Sequence, residues 1–179
     1  MVLKPTLAEA MKILKQLQDA KQEHLTLEQN RKSFSYRQGD QDKLVPDYDY
    51  DRTTMHLNTI DHFSLELRNA VAITNLKPIE NQPEFHNIND ILATIAVEKQ
   101  HIQRLSRLNV TEKITKRSVG FGDTATTEYT ELNYDPERVQ KDLRDSKKRL
   151  DKMHMLLDQL NLTTSVGELQ VPTIIAHLI

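Results

Sequence analysis

Apolar residues return at helical spacing through four stretches of the chain, and the last of these is the clearest. Val139, Leu143, Ser146, Leu150, Met153, Leu157 and Leu160 follow one another at alternating steps of four and three, a heptad seam with one polar member. Asp135 and Pro136 open it: the aspartate oxygen caps free amides, and proline at the first helical position has no amide to leave unpaired. The seam predicts a helix over about 136–161, on the order of 40 Å long at about 1.5 Å per residue. A stripe of that length is buried only against partners that are also long.

The rest of the chain supplies them. Thr6-Leu7-Ala8-Glu9 fits a capping box, and Leu7, Met11, Leu14, Leu17 and Leu25, flanked by Ala10 and Ile13, predict a helix over about 6–30. The charged, turn-forming stretch from Arg31 to Lys43, with Gly39, reads as a solvated loop. Pro46-Asp47 begins a second helix, about 47–75, with Leu57, Ile60, Leu67 and Val71 in its stripe and Phe63 and Thr74 beside them. Lys77-Pro78 stops it, because the residue before proline is pushed out of helical geometry. After a linker carrying Pro83, Asn87 or Asn89 caps a third helix, about 88–108, with Ile88, Ile91, Ile95, Ile102 and Leu105 on one face. Arg104 and Arg107 suit the negative end of its dipole.

Between the third and fourth helices the pattern changes to Thr, Tyr, Val and Ile in two runs, Lys113–Val119 and Thr126–Leu132, separated by Gly120-Phe121-Gly122-Asp123. This predicts a two-stranded hairpin over about 112–133, which is marginal in water unless it packs on the helices or on a neighbouring chain. The segment 165–179 ends in an apolar run, Pro172 to Ile179, that is expected to dock on the helices or on another subunit. The expected fold is therefore mainly α: four long antiparallel helices in a bundle or coiled-coil-like array, with one β-hairpin before the last helix, in a single domain.

Composition narrows the function classes. Apolar residues make up 37% and charged residues 28% of the 179, a balance suited to helices that leave much surface in water, and only four glycines and six prolines interrupt them. A net charge of -2 argues against general affinity for nucleic acid or an anionic membrane, and the absence of cysteine removes disulfides, thiol nucleophiles and cysteine-ligated metals. No apolar run reaches the roughly 18 residues of a membrane span, and Met1–Glu9 lacks a leader pattern, so a cytoplasmic location is expected.

Three segments, in order, carry a resemblance. The opening Leu7-Ala8-Glu9-Ala10, the end of the second helix Ala72-Ile73-Thr74-Asn75, and the last helix from Val139-Gln140-Lys141 to Leu157-Asp158-Gln159-Leu160-Asn161-Leu162-Thr163-Thr164 resemble a family of small bacterial proteins, some labelled septicolysin. The similarity spans about Leu7 to Leu169. It departs at Leu162, where the family usually has tryptophan, and in a longer hairpin and tail. The resemblance implies a helical fold with no established activity. The pore-forming role in the label has no counterpart in a long alternating or basic amphipathic segment.

Local chemistry is sparse. Asp47, Asp49 and Asp51 alternate like the start of a calcium loop, but Arg52 stands where glycine is needed and Asn58 where glutamate is needed, so they read as acids at a helix start. His56 and His62 are six apart, which is not zinc-pair spacing, and His24, His86, His101, His154 and His177 stand alone, although histidines from different helices could converge. Gly120-Phe121-Gly122 lacks the third glycine and following helix of a phosphate loop, and no Gly-x-Ser-x-Gly elbow occurs.

The basic run Arg138, Lys141, Arg144, Lys147, Lys148, Arg149 and Lys152 is interleaved with Glu137, Asp142, Asp145 and Asp151, which reads as a solvated helix face rather than a nucleic-acid surface. Asn75 and Asn161 fall near helix ends, where asparagine can take the left-handed conformation and cap free carbonyls. With Thr163 and Thr164 they are the candidates for a polar pocket at one end of the bundle.

No catalytic, cofactor or metal residues are assigned. The expected role is non-enzymatic: a structural or protein-interaction domain that forms a homo-oligomer, dimer or higher, with no membrane partner. The alternatives are a small-molecule binder or enzyme using that polar pocket, and a nucleic-acid module using the basic side of the last helix.

Overall fold

The structure is a computed structural model that describes residues 1–38, 45–80, 82–109, 111–120 and 126–179. It is mainly helical, as the periodicity predicts, with two small antiparallel sheets. In chain order the elements are β1 (Val2–Leu3), α1 (Leu7–Arg31), α2 (Tyr50–Asn75), α3 (Ile88–Leu108), β2 (Ile114–Val119), β3 (Thr126–Glu131), α4 (Pro136–Thr163), β4 (Leu169–Gln170) and a terminal 3-10 helix (Thr173–Leu178). They form two compact units: Met1–Pro78 with Gln159–Ile179, and Ile79–Asp158, the division falling within α4.

In the first unit α1 and α2 are neighbours, and the terminal 3-10 helix rests on both. The capping box forms as its sequence specifies: the Glu9 amide donates to the Thr6 hydroxyl at 3.3 Å, and the Thr6 amide donates to the Glu9 carboxylate at 2.8 Å. The buried face of α1 is Leu7, Ala10, Ile13, Leu17 and Ala20. Met11, expected in the stripe, is 58% exposed, because at 100° per residue it falls outside the arc those five define. α2 buries Ile60, Phe63, Leu67 and Thr74.

α2 begins at Tyr50 rather than at residue 47. Its cap is Asp49, whose Oδ1 accepts from the Arg52 amide at 2.9 Å, and this side chain takes the role expected of the Pro46-Asp47 pair.

The apolar tail docks inside its own chain. β4 pairs antiparallel with β1 in the register Val2↔Gln170 and Leu3↔Leu169. The Val166 amide donates to the Pro5 carbonyl at 3.0 Å and the Leu7 amide to the Thr164 carbonyl at 2.9 Å. Gly167 turns the chain between these bonds at φ 100°, a value that favours glycine. Val166, Leu169, Val171 and Ile175 are all buried.

In the second unit α3 buries Ile88, Ile91, Ile95 and Leu105. Leu105, Val139 and Leu143 form a cluster joined by Ile102, Leu108 and Tyr134, and the Tyr134 hydroxyl donates to the Leu108 carbonyl at 2.9 Å. The heptad seam of α4 is buried or half-buried along its length, while the basic residues that flank it are exposed. Its polar member, Ser146, is completely buried.

The hairpin forms with β2 and β3 in the register Ile114↔Glu131 through Val119↔Thr126. The part of its turn at Phe121–Asp123, and the part of the predicted loop at residues 39–43, lie outside the described residues.

Candidate functional site

Every residue of β2 and of β3 is exposed, so the hairpin is wet on both faces. Its sheet has only two strands, which leaves one backbone edge of each open. The hairpin also separates its charges by strand. β2 carries Lys116 and Arg117, and β3 carries Glu128 and Glu131. Within the hairpin, Arg117 faces Glu128, Lys116 sits 5.6 Å from the Tyr129 ring centroid, and Lys113 reaches Glu131 at 3.4 Å. These are exposed contacts, each contributing at most about 1 kcal/mol.

The four pocket candidates are placed as follows. Asn75 is the last residue of α2, and Leu76, in the right-handed conformation, caps it by donating to the Ile73 and Thr74 carbonyls. Asn161 lies inside the last turn of α4, which runs on to Thr163. Neither asparagine therefore takes the left-handed capping role expected of it, since both keep helical geometry. The Thr163 hydroxyl donates to the Gln159 carbonyl of its own helix at 2.9 Å, and the Thr164 backbone bonds to Leu160 and Leu7. The cavities described below are lined by other residues.

In the second unit a cavity of about 400 Å³ lies among Phe85, Thr94, Glu98, Arg149, Lys152 and Met153, within the range of small-molecule sites. Arg149 organises one wall, its Nη2 donating to Glu98 at 3.0 Å and to the Ser146 hydroxyl at 3.1 Å. Burial of the Glu98 carboxyl raises its pKa, but the Ser146 hydroxyl and the Arg149 guanidinium outweigh this and hold it below the usual carboxylate value. Ser146 thus marks the place where the seam of α4 admits a charged group. Among the described residues Lys152 forms no ion pair, and it places a cation at the cavity's rim.

In the first unit a cavity of about 140 Å³ is bordered by His24, Glu28, Tyr48, Asp49 and Arg52. The Tyr48 hydroxyl donates to Glu28 at 2.6 Å, and this bond, with burial, pushes the phenol up to about 12. Of the alternating acids, Asp49 caps α2 through its carboxylate, while Asp47 accepts from Arg31 through its backbone carbonyl at 3.1 Å. Among the described residues no group of three or more His, Asp or Glu is arranged to hold a metal ion.

His24, read from the sequence as standing alone, and His56, weighed there only against His62, are brought together by the pairing of α1 and α2, with ring centroids 5.2 Å apart and planes inclined by 46°. The signal that could have found them is the register between the two helices, which no single-helix spacing contains. His56 Nδ1 is buried without a hydrogen-bond partner. Burial, then His24, Arg52 and His177, lower the pKa of His56.

No helix among the described residues is long and apolar enough to cross a membrane. Comparison with protein-family models, with curated proteins and with solved structures gives no match.

Proposed function

We propose that the protein is a non-enzymatic bacterial helical domain, structural or protein-interacting, that self-associates in the cytoplasm through the edges of its hairpin. The reading includes membership of the septicolysin-labelled family, on the three segments quoted above, and a bundle or coiled-coil-like packing of the long helices. The observation that carries it is the hairpin: twelve paired residues, all exposed, in a two-stranded sheet with both outer edges open. An isolated hairpin is marginal in water, and a third strand is the ordinary remedy.

The occupant is a second copy. Laying β2 against β2 sets Lys116 and Arg117 against like charges, whereas laying β3 of one copy along β2 of another sets Glu128 and Glu131 against them. That contact is head-to-tail, so it closes into a ring or continues as a chain of subunits.

Sedimentation velocity of the full chain over about 1–100 μM tests this. The reading expects species heavier than the 20.8 kDa chain, and weaker association at high salt and in the double variant Lys116→Ala, Arg117→Ala. A single-chain mass throughout the range contradicts it.

A second reading has one observation in its favour. The cavity beside Glu98 and Arg149 combines an apolar floor with the ammonium of Lys152, which suits a small carboxylate-bearing amphiphile. Loss of the shift of the Met153 methyl signal on titration with such a compound, when Lys152→Ala is made, would support it; an unshifted wild-type signal would remove it.

A further inference from the structure

We propose that His24 and His56 form a binding site for a divalent transition-metal ion of the zinc class. The two rings come from different helices and are not held there by spacing along one of them, so their approach is a product of how α1 packs on α2. Two imidazoles bound to one tetrahedral ion, each through a metal–nitrogen bond of about 2.0–2.1 Å, hold their ring centroids about 5 Å apart. The observed separation is 5.2 Å.

Ring stacking alone gives similar distances, but stacking leaves one fact without a cause. His56 Nδ1 is shielded from solvent and has no partner in the protein. A buried ring nitrogen left unpaired is costly, and its lone pair is the form in which histidine binds a metal.

The small cavity beside His24 also carries Glu28 and Asp49, which offset the nearby positive charge of Arg52; His56 is not part of its lining. With two protein ligands, water completes the ion's coordination shell. His177, on the terminal 3-10 helix, acts electrostatically on His56 but does not make a third ligand with the pair. Such a site is weaker than a closed structural zinc site, and it prefers copper(II) to zinc in the usual order of divalent ions.

The test is calorimetric titration of the full chain with zinc chloride and with copper(II) chloride in a weakly coordinating buffer. The chains compared are the wild type, His24→Ala, His56→Ala and a control, His86→Ala. The site assigned here gives one zinc ion per chain, with affinity reduced at least about tenfold in each of the first two variants and unchanged in the control.

Nitrogen-15 NMR of the wild-type histidine rings keeps the proposal falsifiable if either variant fails to fold. Zinc should shift the ring nitrogens of His24 and His56 together. No zinc binding, binding that survives both substitutions, or shifts confined to other histidines each overturn the assignment.

Discussion

The tail at 169–179 and the hairpin at 114–131 present the same difficulty in different chemistry. In the tail it is apolar side chains that water disfavours, and in the hairpin it is backbone edges that lack partners. The chain solves the first by itself. Val171 and Ile175 are buried, and the backbone of β4 pairs with β1. Nothing comparable happens at the hairpin, whose twelve paired residues are exposed without exception. An apolar segment can find cover on any apolar face nearby, because the hydrophobic effect has no direction. A strand edge needs another strand at a fixed spacing and register, and the described residues offer the hairpin none beyond its own two strands. The proposed self-association therefore rests on the hairpin and not on the tail.

Substitutions in the two regions should separate stability from assembly. The largest effect on folding belongs to the tail: Ile175→Ala leaves a cavity under a fully buried side chain and should cost about 2–5 kcal/mol in urea denaturation, with the oligomeric state at low denaturant unchanged. A change in assembly without loss of stability would reverse the roles given to the two regions.

A smaller loss, about 1 kcal/mol, is expected for Thr6→Ala. Thr6 caps α1 and also bridges to Ser165 at the entry of the tail. Far-UV circular dichroism during thermal unfolding reads this loss.

Glu98→Gln should cost about 0.5–1 kcal/mol at pH 7, and the loss should depend on pH. Because the folded pKa of Glu98 is lowered, the unfolded chain takes up its proton first as acid is added. The carboxylate's contribution is complete above the ordinary carboxylate pKa and is lost as pH falls through the lower folded value. The wild-type advantage over Glu98→Gln should therefore shrink below about pH 4. A difference that stays constant from pH 7 to pH 3 contradicts the pairing with Arg149.

The smallest effect on folding is expected for Tyr129→Thr on the exposed hairpin, within about 0.5 kcal/mol. If this variant destabilised the chain by several kcal/mol, the hairpin would have to be packed within its own chain.

Much of the helical framework was readable because each helix carries its own signals. Thr6 with Glu9, Asn87 as one of two candidate caps, and Pro136 mark helix starts that the structure keeps, and Asp90 completes a capping box with Asn87. The heptad of α4 was legible down to its polar member, Ser146, but its reason was not. That reason is Arg149, placed between Ser146 on its own helix and Glu98 on another, a relation that depends on packing.

The same limit hid the pairing of β1 with β4, whose two-residue strands are too short to show an alternation. It also hid the approach of His24 to His56. The asparagines misled for a local reason: their position near helix ends was right, yet Leu76 closes α2 in the right-handed conformation and α4 runs past Asn161.

The central claim is that the hairpin edge holds copies of the chain together, and light scattering after size exclusion tests it most directly. The full chain is compared with one in which residues 114–131 are replaced by a short Gly-Ser link. The ends of that excision are already adjacent, since the Leu132 amide donates to the Lys113 carbonyl at 2.9 Å. The account predicts an oligomer for the full chain and a single-chain mass for the shortened one, with equal helical signal per helical residue. An oligomer that survives the excision, or a full chain that is already a monomer, would contradict it.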